Sequence, residues 1–240
     1  MKSYSPPIVV DLDGTLINTD LFFESFFKLI KKNPFNLFKT IFWIFNGKAF
    51  LKEKIAREVE IDVSLLPYNF ELLDYLKAQK GKRKLVLASA SNEKFVRKIA
   101  NFLNLFDGYI ASDANINLSG QNKAEKLKEL IGNDNYLYAG NSYDDLPVWI
   151  RCQKAITVNL PGKIRKKLIA NSVSINFEFN EEKTTFTSLV KCLRIHQWTK
   201  NILIFVPLIF AQQFTSPSIV LNSIMAFIVF GLCASSIYIL

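Results

Sequence analysis

Charged residues are missing from the end of this chain: from Ile202 to Leu240 there is no Asp, Glu, Lys or Arg. Such a stretch excludes an ordinary solvated terminus. Cysteine and histidine are scarce as well. Cys152, Cys192 and Cys233 have no metal-ligand spacing, which points to a reducing compartment without a disulfide framework. The single histidine, His196, has no Cys or carboxylate partner at ligand spacing, so it reads as interfacial. Asp11 and Asp13 interrupt the first apolar run, which argues against a signal peptide. Acids are outnumbered by bases, 21 to 30, for a formal net charge of +9 in 240 residues. A basic excess alone admits nucleic acid or an anionic membrane as partner. The uncharged end and 50% hydrophobic composition favour the membrane, and no nucleic-acid partner is expected.

The chain is organised around its start. Ile8 to Val10 reads as a short buried strand, and Asp11-Leu12-Asp13-Gly14-Thr15 follows where that strand should end. In open α/β sheets ligands bind at the carboxyl ends of strands. Two acids two residues apart repel unless a cation or shared proton relieves them. Mg²⁺ with a phosphoryl substrate satisfies both acids, because hard cations take oxygen ligands. Gly14 permits a tight turn whose amides can face phosphate oxygens, and Thr15 adds a hydroxyl donor.

Three later segments have the same character. Lys84 to Ser89 reads as a buried strand ending in a hydroxyl, with Ser91 or Asn92 as N-cap of the next helix. Lys123 falls in the first turn of a helix opening near Ser119, where a cation opposes the helix dipole unless an anion is present. Asn135 to Pro147 is a strand running into a Gly140 turn with acids at Asp144 and Asp145. Tyr109 to Ala111 and Ala155 to Asn159 read as further strands. The basic run Lys163 to Lys167 reads as a solvated helix start, with headgroup contact the alternative.

These four segments together resemble the motifs of the haloacid dehalogenase-like (HAD) superfamily. The resemblance implies a Rossmann-like α/β domain with a parallel sheet and a small helical cap, and a Mg²⁺-dependent phosphatase forming an aspartyl-phosphate. It gives Asp11 the role of nucleophile and Asp13 that of general acid and base. Ser89 and Lys123, with Thr15, hold phosphate, and Asp11, Asp13 and Asp145 hold the metal. Asp13 also argues against carbon–halogen chemistry, whose family members work without that acid. The family usually has Asp after the motif-four glycine; Asn141 stands there, offering Mg²⁺ an oxygen but no charge. That departure supports a second reading, a degenerate domain serving as regulator or scaffold.

Residues 18–83 read as a helical insertion at the cap position. Phe22, Phe23, Phe26, Phe27 and Ile30 recur at helical spacing, as do Phe38, Phe42 and Phe45. Two readings stay open: a core between cap and base, or an interfacial helix presenting Lys28, Lys31, Lys32 and Lys39 to anionic headgroups. An apolar cap suits a lipid-linked phosphate.

The HAD-like domain is expected over 1–188, a basic interfacial linker over 189–201, and a transmembrane helical hairpin over 202–240. Lys191, Arg194 and Lys200 before the hairpin place the first domain in the cytoplasm, at the cell membrane. Leu193 to Asn201, followed by Phe205-Val206-Pro207-Leu208, resembles the start of UbiA-type polyprenyl transferases, nearest those that transfer phosphoribose to a polyprenyl phosphate. The resemblance implies association with a membrane prenyltransferase. That family's Asp-rich motifs have no counterpart after Ile202, so prenyl transfer is not expected from these residues alone.

Overall fold

The computed structural model describes residues 5–132, 134–180, 195–211 and 216–239. It forms two compact units, 1–181 and 182–240. The expected domain boundary at 188 and the first residues of the expected linker lie outside the described residues.

Six parallel strands make the sheet of the first unit, in the order β3-β2-β1-β4-β5-β6. They are β1 (Ile8–Val10), β2 (Leu85–Asn92), β3 (Gly108–Ser112), β4 (Leu137–Gly140), β5 (Lys154–Val158) and β6 (Ile175–Phe179). Ile8, Val9 and Val10 are fully buried, as a central parallel strand covered on both faces must be. β1 pairs with β2 on one side and β4 on the other. Chain order therefore reverses at β1, and a crevice opens beyond the strand ends there. β6 pairs only with β5 and is an edge strand that the sequence reading did not name.

Between β1 and β2 the chain forms α1 (Leu21–Lys32), α2 (Asn36–Ile44), α3 (Lys48–Glu58) and α4 (Phe70–Gln79). Asp20 caps α1 by accepting from the Phe22 amide, and Asn69 caps α4 by accepting from the Leu72 amide. Pro34 separates α1 from α2, since proline cannot continue a helix. The insertion thus splits. α4 joins the main core through Leu72, Leu73 and Leu76, with Tyr75 against Phe177 and Phe179 of β6. α1, α2 and α3 form the cap. After β2 come α5 (Glu93–Leu103), α6 (Gly120–Ile131), α7 (Leu146–Arg151) and α8 (Gly162–Ala170), each between successive strands.

The second unit holds a 3₁₀ segment, Ile195–Phe205, then α9 (Val206–Phe210) and α10 (Pro217–Ile239). Of the expected hairpin one limb is found: among the described residues a single helix, over Pro217–Ser236, is long and apolar enough to cross a membrane. The shorter apolar segment, Trp198–Phe210, would reach only about 24 Å, with about 2.0 Å per residue in its 3₁₀ part and 1.5 Å in α9, less than a hydrocarbon core of about 30 Å. Trp198, within the stretch expected as an interfacial linker, packs on α10. Its indole N–H donates to Ser235 Oγ at 3.1 Å and its ring meets Phe227 edge-on.

Candidate active site

Asp11 leaves β1 with its amide donating to the Ala139 carbonyl at 2.9 Å, so the first acid is tied to β4 by backbone. The next residues coil back at once: the amides of Thr15, Leu16 and Ile17 all donate to the Leu12 carbonyl. Gly14 makes this possible with φ of +73°. A Cβ there would lie 2.1 Å from Asn141 Nδ2, so the two loops approach closely only because this residue has no side chain.

Lys123 reaches from α6 into the gap between the β1 and β4 loops, almost wholly buried. Its Nζ donates to Asp11 Oδ1 at 2.6 Å, to the Tyr138 hydroxyl at 3.0 Å and to Asp145 Oδ1 at 3.4 Å. Burial alone would lower the lysine, but Asp11 and then Asp145 hold it above its ordinary value. Burial raises Asp11 to about 7 even with Lys123 beside it, and Asp145 and Asp13 push the same way. Asp11 Oδ2 accepts from Thr15 Oγ1 at 3.3 Å.

Asp13 points to the other side. Its Oδ1 accepts from the Leu21 amide at 2.8 Å, and its Oδ2 accepts from Ser91 Oγ at 2.7 Å and Ser89 Oγ at 3.1 Å. Burial raises this carboxyl, against the lowering effect of those donors, so a proton on Asp13 is retained to higher pH than on a free aspartate. Asp145 is 1% exposed. Its Oδ1 accepts from Tyr138 at 2.5 Å, and its Oδ2 accepts from the amides of Asn141 and Ser142 and the Ser142 hydroxyl. Oδ2 of Asp145 is thereby committed to the loop it sits on and Oδ1 to Tyr138 of β4 and Lys123 of α6, so the carboxylate braces that loop and Lys123.

A cavity of about 750 Å³ opens over these groups. Asp11, Asp13, Gly14, Lys123, Asn141 and Asp145 line its floor, with Asp144 at the rim. Thr15 and Ser89 are fully buried beneath that surface, each with its hydroxyl donated to an aspartate. Ser91, read from sequence only as an N-cap candidate, lines the cavity, and Asn92 is the cap of α5. The cap supplies the roof through Phe22, Ile44, Lys48, Leu51 and Lys52. Lys52 Nζ donates to the Ala90 carbonyl at 2.6 Å and to Asn117 Oδ1 at 3.1 Å, tying α3 to the end of β2. Burial lowers its pKa, while Asp13 and Asp20 oppose the shift. Sequence reasoning missed Tyr138, Lys52 and Ser91. For Tyr138 a signal existed, a phenol two residues before the motif glycine on a buried strand.

Among the described residues no group of three His, Cys, Asp or Glu is placed to hold a metal. The donors on the cavity floor are nonetheless hard oxygens, which suit Mg²⁺. Asn141 Oδ1 is buried without a hydrogen-bond partner in the protein, an acceptor that a cation can satisfy. Together with the Asp11 carboxylate it fits Mg²⁺, which keeps several waters and takes few protein ligands.

No protein-family model matches the sequence. An uncharacterised protein of Sinorhizobium fredii, y4nM, is 34% identical over 235 residues, which is 98% of this chain. The chain spans 45% of the length of that curated relative. Among solved structures, a protein of unknown function from Bordetella pertussis Tohama I superposes with TM-score 0.55 at 13% identity, over 72% of this chain and 98% of its own. A HAD family hydrolase from Salmonella enterica serovar Typhi gives TM-score 0.52 at 14% identity, over 75% of this chain and 69% of its own. The first unit has the HAD fold. At such identities the likeness fixes the architecture of the HAD-type unit, and the chemistry must be argued from its own residues. None of these similarities reports a prenyltransferase region.

Proposed function

We propose that the HAD-type unit hydrolyses phosphate monoesters through an aspartyl-phosphate on Asp11. The observation that carries this reading is the buried Lys123–Asp11 contact on the floor of a capped cavity at the β1/β4 switch point. Asp11 attacks phosphorus in line, the P–O bond to the leaving group breaks, and protonated Asp13 gives its proton to the departing oxygen. Water then adds to the aspartyl-phosphate, losing a proton to Asp13, and phosphate leaves with Asp11 restored. Lys123 neutralises the nucleophile before attack and an equatorial oxygen afterwards. Mg²⁺, held by Asp11, Asn141 and the Asp13 backbone carbonyl, would supply charge neutralisation at phosphorus. Asp145 enters this scheme as the brace of Lys123 and the β4 loop.

The reading extends to a membrane-tethered enzyme facing the cytoplasm. Its support is α10 together with the basic residues before it, and the Phe22, Ile44 and Leu51 roof suits a polyprenyl-linked or sugar phosphate. A neighbouring UbiA-type prenyltransferase is proposed from the 193–208 resemblance alone. The deciding assay is Mg²⁺-dependent hydrolysis of p-nitrophenyl phosphate by the full chain in detergent. Turnover should fall at least about 10³-fold in Asp11→Asn, the scale on which removal of a catalytic nucleophile acts; turnover unchanged in that variant overturns the reading.

One observation favours the second reading, a regulatory domain: Asn141 replaces a charge at the metal site. Asn141→Asp should tighten Mg²⁺ activation roughly tenfold or more if the cation binds there, about 1.4 kcal/mol. If neither chain turns over and neither binds Mg²⁺ calorimetrically, the regulatory reading stands instead.

A further inference from the structure

Helix α2 is folded inside out. It buries two polar residues, Asn36 and Thr40, and turns most of its large apolar side chains outward. Asn36 Nδ2 donates to the Leu29 carbonyl at 3.1 Å, fixing α2 against α1 through a polar contact. Trp43 packs partly on the core, whereas Phe38, Phe42 and Phe45 are 61%, 70% and 83% exposed. On the neighbouring α1, Phe23 and Phe27 are exposed as well, stacked with ring centroids 6.4 Å apart. An outward surface of this kind marks an interaction site.

Its charge selects the partner. Between Glu24 and Glu53 the sequence holds six lysines and no acid; Lys48 and Lys52 line the cavity, which leaves Lys28, Lys31, Lys32 and Lys39 exposed on α1 and α2. Glu58 and Glu60 share a surface depression with the α1 lysines, Glu60 being paired with Lys94 and Lys98, and Asp62 faces Lys28. Aromatic residues beside an excess of lysines match the interfacial zone of a bilayer, where rings sit at headgroup level and ammonium groups meet anionic lipid. The same chain carries in α10 an apolar helix of spanning length.

We propose that the outward face of α2, with Phe23 and Phe27 of α1, docks on the interface of an anionic bilayer. Phe22 and Ile44 line the catalytic cavity and belong to these same helices, so docking sets the cavity mouth near headgroup depth. The inference does not depend on hydrolysis, and its test reads no turnover.

The full chain, with Cys152, Cys192 and Cys233 replaced by alanine, carries a single environment-sensitive NBD label at Phe42→Cys. A second preparation carries it at Asn101→Cys on exposed α5. Both are reconstituted in vesicles of phosphatidylcholine with 30% phosphatidylglycerol, and in phosphatidylcholine alone. At position 42 a headgroup-proximal nitroxide lipid should quench several-fold more strongly than at 101 in the anionic vesicles. Quenching at 42 should fall in neutral vesicles and at high salt, since each lysine near the surface contributes about 1 kcal/mol, or roughly fivefold in affinity. Replacing Lys28, Lys31, Lys32 and Lys39 by Gln should remove the difference between 42 and 101 while the chain stays vesicle-bound. Equal, weak quenching at the two positions in anionic vesicles overturns the proposal. So does a blue shift at 42 that follows protein-to-lipid ratio and ignores lipid charge, because it identifies a second copy of this chain as the occupant.

Discussion

At the scale of single residues, the site is a balance of buried charge. Asp11, Asp145 and Lys123 are each less than a tenth exposed, and the lysine serves both acids. Breaking such a buried arrangement by removing one partner is strongly destabilising, because the remaining charges stay out of water. The balance has a pH consequence. Asp11 keeps its proton to about 7 in the folded chain, against an ordinary 3.8. Between those values the native state binds more protons than the unfolded one, so this group's contribution to stability falls as pH rises from about 4 to about 7. Asp11→Asn lacks that dependence. In Mg²⁺-free buffer the Tm of Asp11→Asn relative to the parent should therefore climb between pH 4.5 and 7.5, and carbon NMR of the Asp11 carboxyl should show a midpoint near 7. A midpoint at or below 4 would show that Lys123 outweighs burial.

At the scale of elements, the site depends on two loops approaching within van der Waals distance. Gly14 and Asn141 make that contact, and a pair of substitutions separates backbone strain from close approach. Gly81 has φ of +78° with open space where a Cβ would go, whereas Gly14 combines φ of +73° with the Asn141 amide. Gly81→Ala should lower stability by about 1 kcal/mol from backbone strain alone. Gly14→Ala adds displacement of Asn141 and should cost more, up to about 3 kcal/mol, with loss of phosphatase turnover. Equal Tm shifts for the two variants would show that the loops part freely.

The same scale shows what the sequence made legible. Strands β1, β2 and β4 are short apolar runs leading into Asp11, Ser89 and Gly140, β5 is a largely apolar run leading into Asn159, and local pattern suffices to find them. β6 went unnamed although Ile175, Phe177 and Phe179 alternate, because as an edge strand it lacks a fully apolar run. Asp11, Asp13, Lys123 and Asn141 announce themselves by type and spacing, and they converge on one cavity floor. Lys52 does not, since its importance comes from where the cap sets α3 over the end of β2. The phenylalanines of the insertion do not share one environment. Phe22 and Phe26 pack toward the core, and Phe23, Phe27, Phe38, Phe42 and Phe45 face out. Helical spacing specifies which residues share a face but not what that face meets.

For the whole molecule, the question is whether the uncharged end holds the HAD-type unit at a membrane. α10 contains 23 residues, Pro217–Ile239, about 34 Å of helix against about 30 Å of hydrocarbon. Its side chains are largely exposed within the chain, with Leu221 and Phe230 each near 60%, so this unit does not itself cover them. A helix buried in a soluble core would show the opposite. Ile224 and Ile228 lie near its middle, where an arginine costs about 2.5–3.5 kcal/mol in an inserted helix. The parent chain, expressed in bacterial cells, should stay in the pellet after alkaline carbonate extraction. Ile224→Arg with Ile228→Arg should shift most of it to the soluble or aggregated fraction, with p-nitrophenyl phosphate turnover retained in whatever remains folded. Extraction of the parent chain itself by carbonate would rule out α10 as a span, and the HAD-type unit would then reach lipid only through the face of α2.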